Sequence, residues 1–271
     1  MLSILNSISS LTAENALSST QSNLQKVLTE LSTGLKINSG SDDAAGLAIA
    51  NGLQANISAL TQSSQNASDG VGLLQTADGA LSQVTTLLNR AVTLATEASN
   101  GGLSTSQATA LDTEYQSILT EIGNIGTTTN FNGTAVFGTT ATVFTSDGTT
   151  GGSGTKSTTI GALTTTALAL NATLLTSTAT AQTALTDITA AIQTVAANRG
   201  AIGAAVNQLT ASSNVENTEV QNLTSAENAV QNADIGQTVA QMTQFNVLQQ
   251  TGMAALSQSN QAQQSVLKLL Q

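Results

Sequence analysis

Asp42 and Asp43 are adjacent carboxylates, an arrangement that can bind a metal ion or share acid and base roles. The chain has no His and no Cys, so it lacks an imidazole base, a thiolate nucleophile and the usual zinc or iron–sulfur ligands. No third ligand or partner base lies near this pair in the sequence. We therefore predict that Ser41, Asp42 and Asp43 cap the start of a helix, where each anion contributes about 0.3–1 kcal/mol.

The other residues that could take part in catalysis or ligand binding also lack the partners that a functional motif requires. An enzyme would have to combine this aspartate pair with scattered carboxylates such as Asp69 and Asp78, and the absence of His excludes the metalloprotease motif HExxH. Four glycines between residues 34 and 52 form no phosphate-binding loop, because no strand precedes them and no Lys-Ser/Thr follows at the required spacing. The sequence therefore predicts no catalytic residue, no metal site and no cofactor.

Three charged residues, Arg199, Glu216 and Glu227, interrupt an otherwise apolar helical seam. Residues of this kind can fix the register between helices or between subunits. Alternatively, their long side chains extend from the edge of the seam into water. Because charged residues make up only 8% of the chain, we favour polar contacts at these positions.

The elements that carry these residues repeat apolar side chains at alternating spacings of three and four. This spacing predicts a helix over 43–99, about 85 Å long at 1.5 Å per residue. A shorter helix follows over 104–126, opened by a capping box of Ser104 and Gln107, and a further seam spans 185–230. Both terminal segments carry narrower stripes, whose members we predict to pack subunits together: Leu17, Leu24, Leu28, Leu31, Leu35, Phe245, Leu248, Val266 and Leu269.

Helical periodicity is lost between about residues 127 and 184, where Thr, Gly, Ser and Ala dominate. Asn132-Gly133 and Asp147-Gly148 are turn signals that predict short β-hairpins. The stretch from Ala162 to Ala184 is compatible with a ragged helix or a strand.

Charge and composition exclude several partners. A net charge of −10 with six scattered cations argues against nucleic-acid binding. The first ten residues show no basic region followed by an unbroken apolar run, so we expect neither a signal peptide nor a transmembrane helix. The terminal stripes lack the basic faces and Trp anchors of membrane-surface helices, so we also expect no membrane binding.

The acidic charge is concentrated in the middle of the chain. Residues 1–40 sum to zero and residues 235–271 to +1, whereas residues 41–234 sum to −11. A helix with a narrow apolar stripe needs a partner to bury that stripe. Uncharged polar residues on its other faces permit contact on several sides without burying ions, which costs several kcal/mol each. We therefore predict that the termini enter a multi-sided helical assembly.

Four segments carry distinctive motifs: LSTGLKINSGSDDAAGLAIA at 31–50, NASDGVGLLQTADGAL at 66–81, NRGAIGAAVNQL at 198–209 and VLKLLQ at 266–271. Together these motifs strongly resemble those of bacterial flagellins. The resemblance implies a mainly α fold, in which a long antiparallel coiled-coil or helical-bundle rod carries paired terminal helices and a small β-hairpin and loop insert. It also implies a short form of flagellin with a minimal central variable region.

The resemblance further implies a function and partners. The chain would be a structural subunit that self-assembles into the extracellular flagellar filament for motility, exported by the flagellar type III route. Its partners would be other copies of itself, an export chaperone, and the hook-associated junction and cap proteins. In and near the stretch at 87–101, the resemblance implies contacts with neighbouring protofilaments and with a vertebrate innate flagellin receptor for Asn89, Arg90, Leu94 and Glu114; Asn89 replaces the usual Gln.

The implied division of the chain has five parts. They are a core helix and linker at 1–40, rod helices at 41–130, a variable outward segment at 131–184, a rod helix at 185–234 and a core helix at 235–271. Two alternative functions stay open at this point: a hook–filament junction protein with flagellin-like ends, and a secreted coiled-coil adhesin or effector.

Overall fold

The computed structural model describes residues 8–148 and 154–269, and the side chains of Ser9, Gln263 and residues 266–269 lie outside that description. Within these ranges the chain forms five helices, α1 (Ile8–Thr33), α2 (Ala44–Ala98), α3 (Thr105–Thr128), α4 (Thr178–Gln231) and α5 (Ile235–Leu269). It also forms four strands, β1 (Asn130–Phe131), β2 (Thr134–Ala135), β3 (Thr139–Phe144) and β4 (Thr155–Ile160). The mainly α fold with a small β insert is therefore confirmed.

The chain divides into two compact units. Residues 1–55 and 222–271 form one, which we call the terminal unit, and residues 56–221 form the other, which we call the central unit. The helices α2 and α4 contribute residues to both units.

The core of the central unit follows a seven-residue repeat. Its large members Leu74, Leu81 and Leu88 on α2 are at most 1% exposed. The buried positions that share this repeat are Leu60, Ala67, Leu74, Leu81, Leu88 and Ala95 on α2, and Ile188, Val195, Ile202 and Leu209 on α4. Burial of one such large aliphatic side chain contributes about 1.5–3 kcal/mol. The regular repeat explains why these two helices run so far without interruption.

The predicted helix start and turns are present in the central unit. At the start of α3, Ser104 and Gln107 form the reciprocal hydrogen bonds of a capping box. Asn132 and Gly133 connect β1 to β2 with φ angles of 49° and 78°, the left-handed conformation that a tight hairpin turn of this kind requires. The strands β3 and β4 pair antiparallel in a second hairpin. The prediction of short β-hairpins is confirmed.

The stretch from Ala162 to Ala184, whose composition allowed a ragged helix or a strand, is helical only at its end. Residues 161–177 form turns and irregular backbone, and α4 begins at Thr178. Four leucines of this irregular segment are buried: Leu163, Leu168, Leu170 and Leu175. Their spacing matches neither the helical period nor the strand period. The buried Tyr115 hydroxyl, which shares a hydrogen bond of 2.5 Å with Thr173 Oγ1, holds this segment against α3.

Candidate assembly surface and polar contacts

The terminal unit is built on α1 and α5, which pack along each other. Leu24 and Val27 are the buried members of α1, at 8% and 4% exposure. A Cβ atom on Gly252 would lie 3.4 Å from Leu17 Cδ1, so the backbone of α5 comes close to α1 at this point. Within one chain, therefore, the terminal helices pair through a narrow interface.

Much apolar surface of the terminal unit stays uncovered in the single chain. Nine of the twelve large apolar side chains that are exposed among the described residues belong to this unit. They are Ile8, Leu11, Leu28, Ile49, Ile235, Val239, Val247, Leu248 and Met253, and we call them the apolar assembly surface. Contiguous exposed apolar patches mark interaction sites, so these nine side chains are candidates for contact with other molecules.

The predicted packing residues divide between the helix interface and the apolar assembly surface. Leu24 is buried, whereas Leu28 and Leu248 are 46% and 44% exposed. The partly buried members are Leu17, Leu31, Leu35 and Phe245. Val266 and Leu269 lie outside the described side chains. The sequence interpretation missed Val27, although its position three residues after Leu24 could have indicated it.

Two short segments that join the helices pair with each other inside the terminal unit. Leu35 and Asn232 form an antiparallel bridge, flanked by backbone hydrogen bonds of 2.8 and 2.9 Å. Gly34 has a φ of 75°, a conformation that favours glycine, and it ends α1 so that the chain can turn into this bridge. The terminal helix pair is thus tied at one end by main-chain hydrogen bonds.

Asp43 caps α2, as predicted. Its Oδ1 accepts hydrogen bonds from the backbone N–H groups of Ala45 and Gly46, at 3.1 and 2.9 Å. These are two of the donors that a helix start leaves without partners in the helix. The capping part of the prediction is therefore confirmed for Asp43.

Asp42 has a different role, so the prediction that it caps the helix is wrong. Its Oδ2 accepts hydrogen bonds from the N–H groups of Asn38 and Ser39, and its Oδ1 lies 3.1 Å from Lys26 Nζ on α1. The Lys26 contact, followed by the Ser39 hydroxyl, lowers the pKa of Asp42 to about 2. Asp42 therefore stabilises the turn between α1 and α2 rather than the helix end.

The residues implied as outer contacts separate into exposed and buried ones. Arg90 on α2 donates to Glu114 Oε1 on α3 from both Nε and Nη2 at 2.7 Å, and both side chains are about half exposed. Asn89 is also exposed. Leu94 is 0% exposed, so in the single chain its side chain packs into the core of the central unit and not toward another molecule.

Arg199 on α4 forms a forked ion pair with Asp78 on α2. Its Nε and Nη2 donate to the two carboxylate oxygens at 2.8 and 3.2 Å. The Arg199 hydrogen bonds lower the pKa of Asp78, against a smaller opposite effect of burial. The signal for this pair was present in the sequence, because both residues occupy seam positions and carry opposite charges.

The two seam glutamates contact α2. Glu216 is buried at 5% exposure, and its Oε1 accepts a hydrogen bond of 2.9 Å from Ser63 Oγ. Oriented with its nitrogen toward Glu227, the Gln54 amide donates to both carboxylate oxygens at 2.8 and 3.0 Å. Nothing in the sequence pattern singled out Ser63 or Gln54 as the partners.

Two general searches complete the description of the surface. In the ranges 8–148 and 154–269, no three acidic side chains gather in a way that could hold a metal ion. None of the described helices combines the length and the hydropathy needed to cross a bilayer.

Comparison with known proteins adds to this geometry. The family model described as the bacterial flagellin N-terminal helical region matches residues 4–142, and the one described as the bacterial flagellin C-terminal helical region matches residues 185–270. A flagellin from Halalkalibacterium halodurans is 36% identical over 249 residues, which is 91% of each chain. A flagellin from Serratia marcescens is 45% identical over 137 residues, 50% of this chain and 39% of that one.

A solved structure, that of Bacillus cereus flagellin, aligns with 56% of this chain and 88% of its own at 31% identity and a TM-score of 0.49. The two family models flank the insert that contains β4 and the turns before α4, and the Halalkalibacterium relative is similar along nearly the whole chain. The two family models and the Halalkalibacterium relative lead to one conclusion. The chain belongs to the bacterial flagellin family.

Proposed function

We propose that this chain is a structural subunit of the extracellular flagellar filament and that neighbouring copies cover its apolar assembly surface. One observation carries the second part: the terminal unit exposes nine of the twelve large apolar side chains found exposed in the described residues. A single chain leaves these side chains in water. Contact with another copy would bury them, and each Å² of apolar surface removed from water contributes about 25 cal/mol. Helical self-assembly buries them without enlarging the subunit.

The charge distribution supports contact on several sides of the terminal helices. Within Ile235–Leu269, α5 carries no ionisable residue except Lys268, and α1 carries Glu14, Lys26 and Glu30. Contacts between such helices bury few ions, so they avoid the desolvation cost of several kcal/mol per charge. Because the terminal helices are nearly uncharged, contacts between them do not bring the acidic residues of different copies together.

The five-part division of the chain belongs to the proposal. Residues 1–40 and 235–271 provide the helices that pack between copies, residues 41–130 and 185–234 provide the rod, and residues 131–184 provide the variable outward part. In support, most of the apolar assembly surface falls in the first pair of segments.

A pair of substitutions in α5 tests the assembly role. Val247→Gln and Leu248→Gln each replace an exposed apolar side chain with a polar one of similar size. We expect the concentration needed for polymerisation to rise at least several-fold, measured by light scattering and by negative-stain microscopy, while the helical circular dichroism of the monomer stays the same.

Matched controls come from the central unit. Val215→Gln and Leu174→Gln change side chains of comparable exposure, 58% and 45%, outside the apolar assembly surface. We expect them to leave polymerisation near the wild-type level. Equal loss of polymerisation in all four variants, or in none, would contradict the proposal.

Finer partners follow from the family resemblance. We propose that an export chaperone and the hook-associated junction and cap proteins bind the terminal helices. We also propose that Asn89, Arg90 and Glu114 contact neighbouring protofilaments and a vertebrate innate flagellin receptor. Their exposure and the ion pair that holds Arg90 in place support this role. Receptor binding by an Arg90→Ala monomer, compared with Arg199→Ala, would test the receptor contact.

A further inference from the structure

A polar layer interrupts the apolar contact between α2 and α4 at Glu216. The buried positions of α4 repeat every seven residues at Val195, Ile202 and Leu209, and the next position in this repeat is Glu216. Opposite it on α2 lies Ser63, which is 1% exposed. A carboxyl group therefore occupies a position of the repeat whose preceding buried members are all apolar.

The buried carboxyl is only half satisfied. Ser63 Oγ donates to Oε1, but the buried Oε2 has no hydrogen-bond partner among the described residues. The adjoining contacts are polar as well, since Ser64 Oγ and Ser213 Oγ lie 2.8 Å apart. An ionised carboxylate buried with a free oxygen is costly, and a protonated carboxyl is much less so.

A cleft of about 580 Å³ lies directly beside this layer. Glu216 lines it together with Glu219 on α4, Asp147 in the β3–β4 connection and Lys156 on β4. On α2, the lining residue is Leu60 and the direct partner is Ser63, so α2 contributes no charge here. The two other carboxylates, Glu219 and Asp147, outnumber the single lysine, so the charged surroundings do not favour a third anion at Glu216.

We propose that Glu216 is a proton-dependent latch of the α2–α4 contact in the central unit. With its proton bound, the side chain stays in the seam and hydrogen-bonds Ser63. When the carboxyl releases its proton to solvent, the carboxylate turns into the cleft, and water enters between the two helices at this layer.

The direction of the pH dependence follows from the burial. Burial raises the pKa of Glu216 above its ordinary value of 4.5, the Ser63 hydrogen bond opposes this less strongly, and the charge of Glu219 adds to the increase. A group with a raised pKa in the folded state contributes stability that is complete below its unfolded pKa and is lost as pH rises through its folded pKa. The latch is therefore closed below the ordinary value of 4.5 and opens as pH rises through the raised pKa of Glu216.

Hydrogen exchange of the full-length monomer, kept below its polymerisation concentration, tests the latch. After correction for intrinsic rates, we expect amides of α2 near Ser63 and of α4 near Glu216 to lose protection as pH rises from 4 to 8. One titrating proton limits the change to tenfold per pH unit. Amides of α2 near Leu88, in the apolar part of the same helix, should keep their protection.

Glu216→Gln gives the variant test, because the amide cannot ionise. Its protection near Ser63 should be independent of pH and should exceed that of the wild type at pH 8. Glu219→Gln is the matched control: it removes one exposed carboxylate from the same helix and should retain the pH dependence.

Several results would overturn the latch. One is protection that does not change with pH in the wild type, and another is the same pH dependence in Glu216→Gln. If Glu216→Gln fails to fold, carbon-13 titration of the glutamate carboxyls in the wild type decides: no carboxyl that titrates above the ordinary glutamate range means no latch. These measurements use the monomer, so their outcome is independent of whether the filament role holds.

Discussion

The central and terminal units use apolar side chains in opposite ways. The central unit gathers its large residues into one buried cluster that runs from Leu74 on α2 to Leu209 on α4 and includes Tyr115. Among its described large apolar side chains, the terminal unit buries only Leu24, Val27 and Ile37, and it leaves nine exposed and the others partly exposed. The difference indicates that the central unit buries its apolar core within a single chain, whereas the terminal unit leaves apolar surface available for contact with other molecules.

The largest expected effect tests this difference directly. Leu88→Ala, at 0% exposure in the central unit, should lower the free energy of unfolding of the monomer by about 2–5 kcal/mol, because it removes buried apolar surface and leaves a cavity. Leu248→Ala makes the same chemical change at 44% exposure in the terminal unit and should cost less than about 1 kcal/mol. Urea denaturation of the monomers, followed by circular dichroism, measures both.

Assembly should reverse that order. Leu248→Ala should weaken polymerisation more than its effect on the monomer accounts for, as judged by the concentration at which light scattering begins. Similar destabilisation of the monomer by the two variants would break the comparison between the units.

The response to acid should also differ between the units. In the terminal unit, the pKa of Asp42 is lowered to about 2, so its stabilisation of the Asn38–Ser39 turn is present above its ordinary value of 3.8 and is lost as pH falls from about 4 toward 2. Hydrogen exchange of the Ser39 amide should show this loss. Glu216 in the central unit responds in the opposite sense, since its contribution is lost as pH rises.

Asp42→Asn serves as the control for the acid response. The amide keeps the size of the side chain but cannot form the ion pair with Lys26, so protection of the Ser39 amide should be lower at pH 6 and vary little down to pH 2. A wild-type amide that is equally protected at pH 6 and pH 2 would contradict the role assigned to Asp42.

The smallest expected effect concerns the ion pair between Arg199 and Asp78. Both side chains are more than one-third exposed, so solvent screens the pair, and a double-mutant cycle with Arg199→Gln and Asp78→Asn should give a coupling energy of about 0.2–1 kcal/mol that falls with added salt. A coupling as large as the Leu88→Ala effect would mean that charge, rather than apolar packing, holds α2 against α4.

Local patterns in the sequence predicted the elements well. Ser104 with Gln107 marks a helix start, and Asn132-Gly133 marks a hairpin turn, because both depend on hydrogen bonds or φ angles within a few residues. The segment at 161–177 escaped prediction, since its leucines are buried by neighbours on α3 and elsewhere in the central unit and follow no local period.

The site residues show the same limit. A stripe of leucines on α1 is visible in the sequence, but Val27 rather than Leu28 is buried, because the rotation of α1 against its neighbours decides between adjacent positions. Leu94 lies one helical turn after the exposed Arg90 and is nevertheless fully buried, because it packs into the core cluster of the central unit.

By itself, the sequence determined the long uninterrupted helices, the turns of the insert and the neutral termini, since helical period, turn chemistry and charge are properties of neighbouring residues. Only the tertiary structure decided which residues of the apolar stripes stay exposed and which carboxyl is buried. Glu216 meets Ser63 across 153 residues of chain, and whether a buried oxygen finds a donor there depends on how two distant helices are packed.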